Sequence, residues 1–348
     1  MPAIAQQTAT PVPAMGPAQL IELLLKAIPA RQPVCIAGDP GIGKTAIVNH
    51  VLTDLLKWDS LTTYPATIEP PDLRGMPPIN GGAFLPIGEH ALALAATRNT
   101  GWFFDDLAQG NEDVQKATMH LFHNNKLPQC VSLIAATNER QHKAGVRGML
   151  ETVKSRMVTI VKLIPDLDYW LENFALPHGI SPMLIAFLKL NPDAFHVFTP
   201  TADLTNSPCA RTWEHVSHID SWGMSAETER ISIEGAVGAT FGQMYRQFKL
   251  AHRSLVDVAD ILKNPRTAAL PKSPGELYAV AVTLARVAKR TNFPAVATYT
   301  ERLFDSKHGE VSTLIMRTSV KLHPEVVLTD AYIRMQQGKY ADILAGQN

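Results

Sequence analysis

The octapeptide Gly38-Asp39-Pro40-Gly41-Ile42-Gly43-Lys44-Thr45 lies directly after the apolar tetrad Val34-Cys35-Ile36-Ala37. It is followed by Ile47, Val48, Val51, Leu52 and Leu55, which recur at helical spacing. A buried strand that enters a helix through a glycine turn belongs in a parallel sheet covered on both faces, with ligands at the carboxyl ends of the strands. The turn fits the pattern G-x-x-x-x-G-K-[ST]. Gly38, Gly41 and Gly43 let backbone N–H groups close around phosphates, with Asp39, Pro40 and Ile42 in the variable positions. Lys44 would reach β and γ oxygens, the Thr45 hydroxyl would ligate magnesium, and the helix N-terminus adds positive potential. A magnesium nucleotide is the expected ligand.

Such a loop needs a carboxylate on a neighbouring strand. The apolar run Trp102-Phe103-Phe104 ends in Asp105-Asp106. Asp105 would orient the metal's water shell and Asp106 would activate the attacking water; in isolation the two acids read first as caps of the following helix, and the phosphate loop beside them favours the metal-site reading. Val131 to Ala136 is another buried-type strand. It ends at Thr137-Asn138, where Asn138 either fixes the water or γ-phosphate or serves as a turn residue. Met157 to Val161 gives a further strand, and Val114, Ala117, Thr118 and Leu121 share one helical face.

At 348 residues the chain exceeds one minimal domain. Lys plus Arg equals Asp plus Glu at 32 each, so no global basic field holds a phosphate polymer, and nucleic acid is not an expected partner. Three cysteines without a Cys-x-x-Cys pair give neither a disulfide framework nor a thiolate zinc site, which points to a reducing compartment. With no signal-peptide pattern and no apolar run of about 20 residues, the expected location is cytoplasmic. Residues 1–16, rich in Ala, Pro, Gln and Thr, read as a disordered tail. Residues 17–165 read as the α/β nucleotide-binding domain. Beyond them the pattern is helical: Tyr169 to Leu176, Met183 to Leu190, Arg211 to Trp222 and Ile231 to Ala251. Asn264-Pro265 and Pro271 to Pro274 interrupt it, dividing a lid at 166–265 from a helical C-terminal extension at 266–348.

Taken in order, the phosphate loop, the strand ending in Asp105-Asp106, Ala136-Thr137-Asn138 and Lys154-Ser155-Arg156 resemble an AAA+ ATPase core. Pro70-Pro71-Asp72-Leu73-Arg74-Gly75 and Pro208-Cys209-Ala210-Arg211-Thr212-Trp213-Glu214 look like its MoxR branch, in the form found in phages and bacterial operons. The resemblance implies a P-loop AAA+ α/β core with a parallel sheet, then an α-helical lid and a helical extension. It implies ATP and Mg2+ as ligands, Lys44 and Thr45 as Walker A, Asp105 and Asp106 as Walker B, and Asn138 as sensor 1. By the same resemblance Arg156 is the arginine finger and Arg211 is sensor 2. It further implies a homo-oligomeric ring, usually hexameric, in which Arg156 completes the neighbour's ATP site. The implied work is chaperone-like remodelling of a protein client, with a von Willebrand factor A domain protein as adaptor. A nucleic-acid motor or loader, and an ATP-gated scaffold with slow turnover, share the core and stand as the alternatives.

The chain departs from that branch at Asp106, where MoxR proteins usually carry Glu, and in the short stretch His123 to Gln129. Arg147 rivals Arg156 as the finger. Gly75 to Pro86, with Asn80-Gly81-Gly82 as its turn, reads either as a pore-facing insert or as a plain surface hairpin. His120 and His123 lack the Glu of an H-E-x-x-H site, so zinc is not expected. Trp170, Trp213 and Trp222 are expected to anchor helix packing.

Overall fold

The computed structural model describes residues 12–78, 81–122, 127–138, 148–199, 201, 203–251, 257–337 and 341. They divide into two compact units, one formed by the chain up to Asp166 with Phe198–Asp203, the other by Leu167–Val197 and the chain from Leu204.

The first unit is a six-stranded parallel sheet in the order β1-β6-β2-β5-β4-β3. Its strands are β1 (Ala14–Met15), β2 (Val34–Ala37), β3 (Asp59–Thr63), β4 (Thr100–Phe104), β5 (Val131–Thr137) and β6 (Thr159–Leu163). Central β2, β4 and β5 are buried at every position, as near-continuous apolar runs in a parallel sheet should be. Six helices are interleaved: α1 (Pro17–Ala27), α2 (Lys44–Asn49), α3 (Pro70–Arg74), α4 (Gly88–Leu94), α5 (Glu112–Leu121) and α6 (Glu151–Lys154). One core joins α1 and α2 to the sheet through Leu20, Leu24, Val48 and Phe103; the other joins α5 through Trp102, Phe104, Val114 and Leu121. The parallel α/β sheet followed by helices is the fold class expected from the sequence.

Four details correct the sequence reading. Sheet structure is present before Pro17, inside the expected tail, because Ala14 and Met15 pair with Lys162 and Leu163. The strand expected at Met157 to Val161 lies at Thr159–Leu163 instead; Val158 is exposed, and the pairing extends through Lys162, whose charge hides the strand in the sequence. Edge strand β3, Asp-Ser-Leu-Thr-Thr, escaped notice because an edge tolerates polar residues; Trp102 Nε1 pins it by donating to Thr63 Oγ1 at 2.9 Å. The helix expected from Ile231 to Ala251 is broken at Gly238, whose φ of +81° lies in the left-handed region.

The second unit is helical: α7 (Leu167–Trp170), α8 (Pro182–Leu190), α9 (Ala210–Ser221), α10 (Ala226–Val237), α11 (Ala239–Ala251), α12 (Val258–Lys263), α13 (Pro274–Val287), α14 (Phe293–Asp305), α15 (Gly309–Leu322) and α16 (Asp330–Gln337). One core gathers around Trp213, Phe187 and Tyr245, another around Tyr299, Leu284 and Ile315. The break expected near residue 265 is not where the two cores of this unit divide: Ile261 already belongs to the second core and Val282 still belongs to the first. Helix α13 accounts for this: Val282 joins the first core while Val280, Ala281 and Leu284 join the second, so the helix is apolar on more than one face. Trp213 packs at 0% exposure and donates to Ala194 O at 2.9 Å, whereas Trp222 is 63% exposed and anchors nothing.

Candidate nucleotide site

Strand order decides which loops meet. Strand β5 lies between β2 and β4, so the residue that follows it falls between the glycine loop after β2 and the acidic pair after β4. That residue is Asn138. Its Oδ1 accepts from Lys44 Nζ at 2.9 Å, and its Nδ2 donates to Asp106 Oδ1 at 2.9 Å. Lys44 Nζ also donates to Gly38 O and Asp39 O, both at 2.9 Å, and Thr45 Oγ1 donates to Asp105 Oδ2 at 2.6 Å. Lys44, Thr45, Asp105, Asp106 and Asn138 thus form one polar cluster at the carboxyl edge of a buried sheet.

The loop's backbone has the conformations its glycines permit. Gly38, Gly41 and Gly43 have φ of +153°, +74° and +101°. A Cβ at Gly38 would stand 2.7 Å from Ile42 Cδ1 and 3.0 Å from Leu163 O, so only glycine fits between β2 and β6 there. A Cβ at Gly43 would meet nothing within 4 Å. The open side at Gly43, just before the first turn of α2, is where an anion would lie against backbone N–H groups. Asp39, Pro40 and Ile42 are half-buried in the same loop.

Lys44 is 7% exposed and Asp105 9%. Charges withdrawn from water to this degree persist only when hydrogen-bonded, and the cluster supplies those bonds. Beneath the loop, burial pushes the Cys35 thiol up to about 12, against a smaller opposing pull from Lys44, so this cysteine is an inert packing group. Asp106 adopts φ +57°, ψ +43°, a left-handed conformation uncommon outside glycine, and its carbonyl accepts from Gln109 N at 2.8 Å to start the turn Leu107–Gln109. Asn111, not the acidic pair, caps α5, with its side chain accepting from Val114 N at 2.9 Å. The capping alternative for Asp105 and Asp106 therefore has no support in the geometry.

The residues fit the expected ligand. Lys44 and the glycine loop would hold the β- and γ-phosphates; Thr45 Oγ1 and the Asp105 carboxylate, already in contact, would face the magnesium ion. No group of three or more His, Cys, Asp or Glu able to hold a metal exists among the described residues.

Arg156 stands apart from that cluster within the sheet unit. Arg156 precedes β6 at its amino end, the end opposite the glycine loop, since Val34 pairs with Thr159 and Ala37 with Lys162. A strand length of roughly 13 Å thus separates it from its own loop. Its guanidinium donates to Thr152 O, and its buried Nε meets no partner among the described residues. Arg211 is exposed in the first turn of α9, in the helical unit. Arg147, Asn80 and His123 lie outside the described residues. The hairpin after α3 is closed by reciprocal bonds between Met76 and Leu85, of 2.8 and 2.9 Å, and exposes Phe84.

One functional candidate was missed from the sequence. Gln115 on α5 is 1% exposed, and its amide bonds Gly110 O, Gly148 O and Leu150 N. A polar residue on the apolar face of Val114, Ala117, Thr118 and Leu121 was the available signal.

Protein-family models give no match to the chain, and neither do curated proteins. Among solved structures it is similar to the Thermotoga maritima RuvB Holliday junction branch migration motor, at 16% identity over 77% of this chain and 80% of that one, TM-score 0.34. It is also similar to NtrX from Brucella abortus in complex with ADP, at 14% identity over 92% of this chain and 67% of that one, TM-score 0.33. Likeness this distant carries no residue roles across. No helix among the described residues is long and apolar enough to cross a membrane.

Proposed function

We propose that the chain is an ATPase of AAA+ type, hydrolysing ATP to ADP and phosphate at the carboxyl edge of its sheet. The observation that carries this reading is the continuous hydrogen-bonded path from Lys44 through Asn138 to Asp106, with Thr45 and Asp105 beside it. Thr45 Oγ1 and the Asp105 carboxylate would hold magnesium, which would supply positive charge against the charge that develops on the phosphate. The chain's own residues do the rest. Lys44 exchanges its bonds to Gly38 O, Asp39 O and Asn138 for phosphate oxygens. Asn138, released from Lys44, is placed to align the attacking water. Asp106 orients that water and takes its proton. The Thr45–Asp105 pair fixes the cation side of the pocket.

The finer reading, supported by the resemblance to the MoxR branch, is a homo-oligomeric ring, hexameric by analogy, that remodels a protein client through an adaptor with a von Willebrand factor A domain. The position of Arg156 supports a shared site. Since it lies off the sheet end opposite its own glycine loop, its contribution to catalysis would be made to a second copy, where an arginine stabilises γ-phosphate charge by about 10³ to 10⁵ in rate. Arg211 would act as sensor 2 from the start of α9. In this scheme 17–165 is the nucleotide domain, 166–265 the lid and 266–348 the extension. A scaffold with slow turnover is the second reading, favoured by the short Asp106 side chain already engaged by Asn138.

Mixing tests the shared site. Lys44→Ala and Arg156→Ala should each be nearly inactive in phosphate release, yet together regain part of the rate, because hybrid interfaces pair an intact loop with an intact finger. Rates no greater than the sum of the separate variants at every ratio would sink the trans arrangement.

A further inference from the structure

Gln115 makes contacts that no packing requirement explains. A primary amide buried to 1% exposure costs free energy unless its donors and acceptor are used, and a leucine or methionine in the same place would complete the apolar face of α5 without that demand. Instead its Nε2 donates to Gly110 O at 3.0 Å and to Gly148 O at 3.2 Å, and its Oε1 accepts from Leu150 N at 2.9 Å. These partners belong to two different places. Gly110 ends the turn Leu107–Gln109 that begins at Asp106, and Gly110 N donates to Leu107 O at 3.3 Å. Leu150 is the N-cap of α6, and its carbonyl accepts from Val153 N and Lys154 N at 2.9 and 3.0 Å, starting the single turn that delivers Arg156. One side chain therefore joins the loop of the acidic pair to the foot of the arginine turn.

We propose that Gln115 is a positioning residue that holds the α6 turn, and with it Arg156, in register with the Asp105-Asp106 loop of its own subunit, so that the state of one nucleotide site sets the placement of the finger offered to the next. The proposal rests on the shared-site reading above. It follows from where the two ends of the link lie: Asp106 serves the subunit's own site at the carboxyl edge of the sheet, and Arg156 lies off the amino end of β6. Helix α6 is one turn long, with buried Val153 as its anchor in the core, so the Gln115–Leu150 bond is a main determinant of its angle.

The test uses the full chain. Gln115→Met keeps the volume and the unbranched shape while removing all three bonds. It should bind MgATP within about twofold of wild type and lower turnover about 10- to 100-fold, the scale expected when a reacting group is misplaced by an ångström. Mixed with Lys44→Ala it should regain turnover, because the Lys44→Ala subunit brings an intact finger to an intact loop. Mixed with Arg156→Ala it should not, because neither subunit brings a correctly placed finger. The opposite pattern, rescue by Arg156→Ala and none by Lys44→Ala, would mean that Gln115 supports only its own acidic loop and would overturn the proposal. Thr118→Val is the matched control: it removes the buried bond from Thr118 Oγ1 to Gln115 O (2.7 Å) on the same helix face. If it gives the same losses and the same mixing pattern, Gln115 is merely structural and the proposal is wrong. If Gln115→Met does not assemble, Gln115→Asn, which keeps the amide and withdraws it by one methylene, takes its place with the same two outcomes. Failure of the Lys44→Ala with Arg156→Ala mixture, which leaves Gln115 untouched, would bring down the shared-site reading and this proposal with it.

Discussion

Two lysines, Lys44 buried and Lys249 half-buried, show how the sheet unit and the helical unit use similar chemistry to different ends. Lys44 donates to two backbone carbonyls and to an amide oxygen, and stands at the mouth of a glycine loop with open space beside Gly43. Lys249, on α11, donates to Asp220 Oδ1 at 2.7 Å and Glu229 Oε1 at 2.8 Å, while Asp220 Oδ2 accepts from the Tyr245 hydroxyl. Tyr245 is enclosed by Phe187 and Trp213. Bonds to carbonyl and amide oxygens hold an ammonium in place for a ligand that brings its own negative charge. Two carboxylates supply that charge internally and turn the same group into a bolt between α9, α10 and α11. The contrast teaches that burial of a lysine alone says little about function; what accepts its protons, and whether the site is closed by side chains, says much more.

The largest effect is expected at Asp106. Asp106→Asn keeps the shape and removes the base, so ATP binding should persist while phosphate release falls about 10² to 10⁴-fold, the usual worth of a positioned acid–base group. Asp106→Glu should also slow turnover, because the left-handed backbone already carries the shorter carboxylate to Asn138, and an added methylene crowds the water. A faster Glu variant would favour the slow scaffold.

Next in size is Lys249→Met. Left without the ammonium, Asp220 and Glu229 face each other partly out of water, and stability should fall by about 1–3 kcal/mol, less than for a fully buried pair because Lys249 keeps some solvent contact. Chemical denaturation of the full chain would measure it, with ATP turnover per folded molecule unchanged. Loss of turnover without loss of stability would invert the roles assigned to the two lysines.

The smallest effect is alkaline. Burial, and after it the nearby Asp220 charge, pushes the Tyr245 phenol well above its ordinary value. For Lys249 burial acts downward but is outweighed by bonds to Asp220 and Glu229, so it too stands above its ordinary value. Both groups keep protons in the folded chain that the unfolded chain releases, so their stabilisation is complete below about pH 10 and declines as pH rises through the folded values. Each proton contributes a slope of up to about 1.4 kcal/mol per pH unit. Thermal unfolding followed from about pH 9.5 to about pH 12 should show the decline, and Tyr245→Phe should make it shallower.

Much of this architecture could be read from residue order because its local signals are strong. The short, almost wholly apolar runs Val34 to Ala37, Trp102 to Phe104 and Val131 to Ala136 are central strands buried at every position. The loop residues Lys44, Thr45, Asp105, Asp106 and Asn138 follow those strands directly, so once the strands are recognised the sheet brings them together. What stayed hidden depends on tertiary context. Edge strands β1 and β3 carry too few apolar residues to announce themselves. The path of the chain at Gly238 is set by a positive φ that many glycines never adopt. Gln115 looks like an error in an amphipathic pattern until its three backbone partners, two of them more than thirty residues away, are in view.

Phosphate handling at the carboxyl edge of the sheet is measured by comparing wild type and Lys44→Ala in one assay of magnesium-dependent ATP binding and phosphate release, with thermal unfolding recorded on the same samples. The ammonium is bonded to oxygens of the loop itself, so its removal should leave the unfolding midpoint within a few degrees while binding or turnover drops at least about 100-fold. A Lys44→Ala protein that releases phosphate at the wild-type rate would contradict the account.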